Sequence, residues 1–126
     1  MLKKIGNIIF YSIFGILAAC FLSIMATKFA TGKPSIFGFR PILVVSGSME
    51  PTIKTGSIVI ASPIDAKDVQ IGDIVTYKCK GATIVHRVIE ITDDGLFVFK
   101  GDHNQNEDDP VDPSQIGYII KYIPFD

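Results

Sequence analysis

The chain has 126 residues, a length typical of one domain, and a formal net charge of −1 at pH 7. Its 12 basic residues are balanced by 13 acidic ones, so we expect no basic surface of the kind that binds nucleic acid. Hydrophobic residues make up 48% of the chain, which is enough for a small core and for an apolar segment outside that core.

The N-terminal region contains the longest uncharged stretch of the chain. Residues 5–27 carry no charge and are rich in Ile, Phe, Leu and Ala. About 20 apolar residues are enough for a helix to cross a bilayer, so we predict a membrane anchor over residues 1–30 and a linker over residues 31–40. Within the linker, an aromatic patch at residues 36–39 either rests on lipid or packs inside the following domain.

Two other interpretations of the same region stay open. Lys3 and Lys4 followed by an apolar run are also typical of a cleaved secretory signal, and residues 17–20 resemble a lipoprotein processing site. The apolar run continues past that site, which favours an uncleaved anchor. Of the two cysteines, Cys20 is expected inside the bilayer and Cys79 outside it, so we expect no disulfide.

Downstream of the anchor, the pattern predicts a mainly β domain over residues 41–126. Short β-branched runs alternate with turn residues, and no stretch shows helical periodicity better than strand alternation. The sequence Asp93-Asp94-Gly95 is a hairpin signal. The predicted strands are residues 41–45, 57–61, 73–78, 83–92, 96–100 and 116–123.

The chemistry-bearing residues occur in the order serine, histidine, aspartate. Ser48 stands between a glycine and a methionine, after an apolar run and before a proline, which suits an exposed nucleophile on a bent backbone. His86 lies inside an apolar run, where an unpaired imidazole would be costly. An acidic cluster follows at residues 102–112. We predict an acyl-transfer site with Ser48 as nucleophile, His86 as base, and the Ser48 N–H and Ser46 hydroxyl as oxyanion donors.

Five short boxes then occur in an order that resembles the type I signal peptidases. They are SGSMEP (46–51), GSIV (56–59), GDIV (72–75), HRV (86–88) and KGDHN (100–104). The resemblance implies a membrane-anchored serine endopeptidase with a small antiparallel β domain, which requires no cofactor or metal. It also implies that signal peptides are cut after small residues of the Ala-X-Ala type.

The base is the point at which this chain resembles one branch of that family. His86 stands where the usual bacterial enzymes have a lysine, and histidine there resembles the endoplasmic-reticulum, archaeal and sporulation-associated branch. A Ser-His-Asp site is therefore implied. Lys78, Lys80 and Lys100 are kept as alternative bases, although none precedes the Arg-Val-Ile stretch as the family pattern requires.

The third catalytic residue is less closely defined. The spacing of the related box implies Asp108 as the group that orients His86, with Asp109 as its neighbour and alternative. Asp102, in the Gly-Asp turn, is expected to bond backbone N–H groups and shape the site, with a direct catalytic contribution as the alternative. His103 departs from the box, where asparagine is expected, and we interpret it as a turn residue.

The resemblance also implies where the substrate lies. Met49, next to the nucleophile, borders the cleft in the family, although it could instead fill the core. Shallow apolar pockets are expected to select small side chains, and Ile42, Val44 and Val85 are candidates for their walls.

The expected partners are exported preproteins and the lipid bilayer, with no nucleic acid, and the need for partner subunits stays open. The resemblance favours a single-pass protein of the cell membrane with its N-terminus inside and the catalytic domain on the extracytoplasmic face. Two alternatives remain: a membrane-tethered, non-catalytic β binding module, and a regulatory protease of the same broad fold with a Ser-Lys site.

Overall fold

A computed structural model of the protein describes residues 1–123. The chain separates into two compact units, Met1–Gly38 and Phe39–Asp126, and the second is described as far as residue 123. The end of the last predicted strand, residue 123, is followed by three residues that lie outside the described part.

The first unit is built on one long helix, α1 (Leu2–Thr31). Its 30 residues span about 45 Å at 1.5 Å per residue. The most apolar 18-residue stretch has a mean hydropathy of 2.4, and none of that stretch is buried. By length and composition this helix could therefore cross a membrane. The helix ends at Thr31 and is capped by Gly32, which has a left-handed backbone (φ 73°) and donates its N–H to the carbonyl of Lys28.

The segment after α1 folds back along the last turns of the helix. The backbone N–H of Phe37 donates to the Ser23 hydroxyl (2.9 Å), and that of Ser35 donates to the Thr27 hydroxyl (3.0 Å). The side chains of Phe37 and Phe39 are 68% and 53% exposed. Both phenylalanines of the aromatic patch expected at residues 36–39 are thus largely exposed.

The second unit is a six-stranded antiparallel sheet, which confirms the predicted fold class. Each predicted strand begins and ends within two residues of the observed one. Two short 3₁₀ turns, Ala66–Asp68 and Pro113–Gln115, were not indicated by the periodicity. The strands are β1 (Arg40–Leu43), β2 (Ile58–Pro63), β3 (Ile74–Cys79), β4 (Ala82–Ile91), β5 (Phe97–Lys100) and β6 (Ile116–Tyr122).

The order of strands in the sheet is β1-β2-β6-β3-β4-β5. β3 and β4 form a hairpin closed by Lys80 and Gly81, which both have positive φ (50° and 80°), as a two-residue turn between right-twisted strands requires. Register within this hairpin places Val75 opposite His86. Tyr77, two residues from Val75 on β3, therefore faces the same side of the sheet as His86.

Buried side chains form two clusters in this unit. The larger lies around Tyr77 and Phe99, and the smaller consists of Val44, Met49, Ile53 and Val59. Because the smaller cluster takes three of its four members, Val44, Met49 and Ile53, from the loop between β1 and β2, burial fixes the position of that loop.

Candidate active site

Ser48 lies in the loop that joins β1 to β2. The base of this loop is closed by Val44, whose N–H donates to the carbonyl of Ser57 (2.9 Å) and whose carbonyl accepts from the N–H of Gly56 (2.7 Å). Gly56 has a φ of 86°, which favours glycine. Because both ends of the loop are tied together, the half-buried Ser48 is presented on an ordered turn.

Met49 does not take the position expected of a residue that borders a substrate cleft. Its side chain is fully buried, as is that of Ile53 four residues later, and both pack in the smaller core cluster. The structure thus corrects the prediction that Met49 binds substrate. Met49 is fully buried next to the half-buried Ser48, so it instead holds the loop against the core.

His86 lies in the middle of β4, and only 7% of the residue is exposed. Its Nε2 is 3.0 Å from Ser48 Oγ, and its Nδ1 is 2.5 Å from Asp108 Oδ2. Each ring nitrogen therefore has a partner, which offsets the cost of burying the imidazole. A carboxylate at Nδ1 favours the tautomer with its proton on that nitrogen, and Nε2 is then free to accept a proton from Ser48.

Asp108 reaches His86 because the chain after β5 turns back along that strand. The N–H of Asp108 donates to the carbonyl of Phe99 (2.7 Å), and Val111 exchanges two backbone hydrogen bonds with Phe97. This pairing adds a short extended segment beside β5. Asp109 is exposed. Of the two neighbouring aspartates, the structure brings Asp108 to the imidazole.

A second donor to Asp108 was missed by the sequence analysis. The hydroxyl of Tyr77 donates to Asp108 Oδ2 at 2.6 Å, the same oxygen that faces His86. Only 4% of Tyr77 is exposed, and burial together with the hydrogen bond to Asp108 raises the pKa of its phenol well above the ordinary value. The β3–β4 register, which the structure supplies, puts Tyr77 and His86 diagonally on one face of the sheet.

Asp102 has partners of a different kind. The guanidinium of Arg87 donates to both carboxylate oxygens (2.9 and 2.8 Å), and the hydroxyl of Thr52 donates to Oδ2 (2.6 Å). The hydrogen bonds from Arg87 are the main reason that the pKa of Asp102 lies below its ordinary value, and the same contacts raise the pKa of Arg87. The expectation of backbone N–H partners was therefore wrong. Asp102 joins the serine loop, through Thr52, to β4.

The box around Asp102 also contacts the backbone of Ser48. The N–H of His103 donates to the carbonyl of Ser48 (2.8 Å), and that of Asn104 donates to the carbonyl of Gly101 (2.9 Å). A Cβ on Gly101 would lie 2.6 Å from the carbonyl oxygen of Ser48. Glycine is required here by this close approach. The His103 side chain itself is exposed.

The remaining candidate residues are placed as follows. The hydroxyls of Ser46 and Ser48 are 3.1 Å apart, so Ser46 lies where it could reach a reacting oxygen. Lys100 donates to the carbonyl of Gly101 (3.3 Å), Lys80 is in the β3–β4 turn, and the side chain of Lys78 is exposed. Within residues 1–123, the partners of the Ser48 hydroxyl are His86 and Ser46.

An apolar cavity of about 450 Å³ opens beside Ser48 and His86. Its walls come from β1 and the residues after it, and from β4, although three strands separate β1 from β4 in the sheet. The sheet must therefore curl to bring these strands together. The three predicted wall residues, Ile42, Val44 and Val85, all line the cavity. No group of three or more metal-ligating side chains occurs in the described part of the chain.

The family model and three of the known proteins that this chain matches are described as signal peptidases. The family model "Signal peptidase, peptidase S26" matches residues 14–108. Signal peptidase I W of Bacillus subtilis (strain 168) is 38% identical over 112 residues, which cover 85% of this chain. The signal peptidase complex catalytic subunits SEC11 of Colletotrichum graminicola and Metarhizium robertsii are 31% and 32% identical, over 83% and 87% of this chain and 72% and 70% of theirs. No solved structure matches the chain.

A serine, a histidine and an aspartate joined in series by hydrogen bonds have the geometry of a serine hydrolase. The family match over most of the chain is more specific: the chain belongs to the signal peptidases of peptidase family S26. This confirms, at the level of the family, the resemblance seen in the five sequence boxes. The matched region spans 59% of the length of the Bacillus relative.

Proposed function

We propose that this protein is a membrane-anchored serine endopeptidase that removes signal peptides from exported preproteins. The observation that carries the proposal is the continuous series of hydrogen bonds from Ser48 through His86 to Asp108 at the mouth of an apolar cavity. Family membership supports the reaction class. The relatives' names, signal peptidase I and catalytic subunit of the signal peptidase complex, support the substrate class.

In the proposed mechanism, His86 takes the proton of the Ser48 hydroxyl as the oxygen attacks the scissile carbonyl. Asp108 holds the Nδ1–H tautomer and stabilises the imidazolium that forms. The imidazolium then gives its proton to the leaving amine, which frees the C-terminal fragment and leaves an acyl-enzyme. Water, deprotonated by His86, attacks the ester, and the proton returns to Ser48.

The oxyanion of each tetrahedral intermediate needs preorganised donors. We propose the backbone N–H of Ser48 and the hydroxyl of Ser46 for this role. Ser46 is supported by its position 3.1 Å from the nucleophile's oxygen. The Arg87–Asp102–Thr52 contacts hold the serine loop and the histidine strand together, so Asp102 has a supporting role and not a catalytic one.

The largely apolar lining of the cavity supports a preference for small apolar side chains before the cut, of the Ala-X-Ala type. Its walls include the aliphatic residues Ile42, Val44 and Val85. Small apolar side chains fit such walls without leaving polar groups unpaired.

Helix α1 supports the proposed division into an anchor (1–30), a linker (31–40) and a catalytic domain (41–126). We propose a single-pass protein of the cell membrane with the catalytic domain on the extracytoplasmic face. The anchor would hold the site at the bilayer surface, where the apolar segment of a signal peptide also lies, so the effective substrate concentration is high without a tight pocket. The SEC11 relatives are named as subunits of a complex, which keeps partner subunits open for this chain.

Cleavage of a preprotein in detergent micelles tests the proposal. Changing Ser48 or His86 to alanine should each lower kcat by about 10⁶-fold, and changing Asp108 to alanine should lower it by about 10⁴-fold, because the three groups act as a unit. Glu90→Gln, on the exposed part of β4, is the matched control and should cleave like the parent protein.

Each alternative predicts a different pattern in this assay. A non-catalytic binding module predicts that the parent protein shows no cleavage and that Ser48→Ala leaves partner binding intact. A Ser-Lys protease predicts that His86→Ala keeps its activity while Lys78→Met, Lys80→Met or Lys100→Met loses it. Either pattern would replace the proposed mechanism.

A further inference from the structure

Asp108 Oδ2 accepts two hydrogen bonds, and only one of them belongs to the Ser-His-Asp series. His86 Nδ1 lies 2.5 Å from this oxygen and Tyr77 Oη lies 2.6 Å from it. A carboxylate oxygen can accept from both donors at once. The imidazole and the phenol therefore share one acceptor atom.

The tyrosine is held rigidly in this position. Its ring packs on Phe99, with ring centroids 4.6 Å apart, and meets the His86 ring edge-on at 6.5 Å. Tyr77 is 4% exposed and Phe99 is fully buried. Because β3 is paired with both β4 and β6, the backbone that carries Tyr77 has little freedom to move away from Asp108.

The phenol can act only as a donor to Asp108. Burial and the nearby carboxylates keep its proton in place, so the hydroxyl presents a fixed positive end of its dipole to Oδ2. The hydrogen bond stabilises the negative charge on Asp108 and so weakens the pull of that carboxylate on the imidazole proton. It also fixes the rotamer that turns Oδ2 toward Nδ1.

Several other charged or titratable groups lie near Tyr77, Asp108 and His86. Glu107 and Asp109 flank Asp108 in the same segment and line one cavity with Tyr77, as does Cys79 on β3. Arg87, next to His86 on β4, is paired with Asp102. Removing the Tyr77 hydroxyl leaves all of these in place, so its effect on His86 can be read separately.

We propose that Tyr77 is a positioning residue that orients Asp108 and sets the pH range in which His86 can act as a base. The proposal rests on the proposed function for its kinetic consequences, but the coupling between Tyr77 and His86 is a property of the folded chain alone. Tyr77 touches neither the nucleophile nor the cavity beside Ser48, so it acts through Asp108.

The test is an NMR titration of the two histidines in the full chain, in detergent micelles and without substrate. Tyr77→Phe keeps the ring and removes the hydroxyl, and it should move the His86 midpoint up by about 0.5–1 pH unit. Incorporation of 3-fluorotyrosine at position 77, a stronger donor, should move it down. Tyr122→Phe, on the exposed end of β6, is the matched control and should change nothing. The exposed His103 serves as an internal reference.

The same variants give a kinetic prediction. In Tyr77→Phe the acid limb of the kcat/KM profile should move up with the His86 midpoint, and kcat should fall about tenfold at its plateau while KM changes little. An unchanged His86 midpoint in Tyr77→Phe, in a variant whose thermal unfolding transition shows it to be folded, overturns the proposal. If the parent protein cleaves no preprotein, the proposed function fails, whereas the titration still decides the role of Tyr77.

Discussion

Two carboxylates six positions apart in the chain, Asp102 and Asp108, lie in different electrostatic surroundings. Asp102 is paired with a permanent cation, Arg87, and receives a third hydrogen bond from Thr52. Asp108 faces an imidazole and a phenol, neither of which carries a fixed charge. A carboxylate whose charge is already neutralised holds structure together, whereas one that faces an imidazole can respond to the arrival of a proton.

Neutralising each carboxylate in turn tests whether the two have different roles. Asp108→Asn should lower kcat by about 10⁴-fold, since the amide no longer favours the useful tautomer of His86. Thermal unfolding should change little, because the amide can still bond to Tyr77. Asp109→Asn, at the exposed neighbouring position, is the control and should keep nearly full activity. Loss in Asp109→Asn with retention in Asp108→Asn would exchange the roles of the two.

Asp102→Asn should affect stability more than catalysis. It leaves the charge of Arg87 without its partner, so we expect the free energy of unfolding to fall by about 1–3 kcal/mol. Denaturant unfolding in micelles measures this change, and kcat of the folded fraction should fall far less than in Asp108→Asn. Equal losses of kcat in the two variants would mean that both carboxylates serve the reaction directly.

A similar contrast applies to two glycines near Ser48. Gly101→Ala would force a Cβ to within 2.6 Å of the Ser48 carbonyl, and neither backbone can give way easily. We expect a loss of about 1–3 kcal/mol of stability, together with lower activity because Ser48 is displaced. At Gly47 the nearest atom to a new Cβ is 3.4 Å away, so Gly47→Ala should keep its stability. Equal unfolding midpoints for the two variants would contradict the close-approach explanation.

The smallest expected effect is the pH dependence of stability that comes from Asp102. Its pKa is lowered in the folded chain by Arg87 and Thr52, so as pH falls the unfolded chain takes up the proton first. The stabilisation is fully present above an unfolded pKa of about 3.9 and is lost as pH falls through the lower folded pKa. The stability difference between the parent protein and Asp102→Asn should therefore shrink below about pH 4. A difference that stays constant from pH 6 to pH 3 would show that Arg87 does not act through this carboxylate.

Much of the fold could be predicted because its signals are local. An uncharged run of 23 residues predicts a membrane-length helix, and period-two alternation bounded by glycine and proline predicts strands. Ser48, His86 and Asp108 were selected in advance by turn chemistry, by the cost of a buried imidazole and by box spacing. The structure brings all three within hydrogen-bonding distance of one another in series.

Other features could not be predicted because they depend on which strands lie side by side. Met49 was expected to border the cleft because it follows the nucleophile, but its side chain is buried in the core. Asp102 sits in a Gly-Asp turn that suggests backbone partners, yet Arg87 and Thr52, which are distant from it in sequence, occupy its oxygens. Tyr77 reads as an ordinary strand residue until the β3–β4 register is known.

The amino-acid sequence by itself determined the apolar helix, the strand pattern and the family boxes, since each depends on neighbours along the chain. Only the tertiary structure decided which carboxylate faces His86, that Tyr77 shares its oxygen, and that β1 and β4 wall one cavity. The reason is that these contacts join residues from separate strands and loops. Their distances follow from the register and curl of the sheet, which no local pattern encodes.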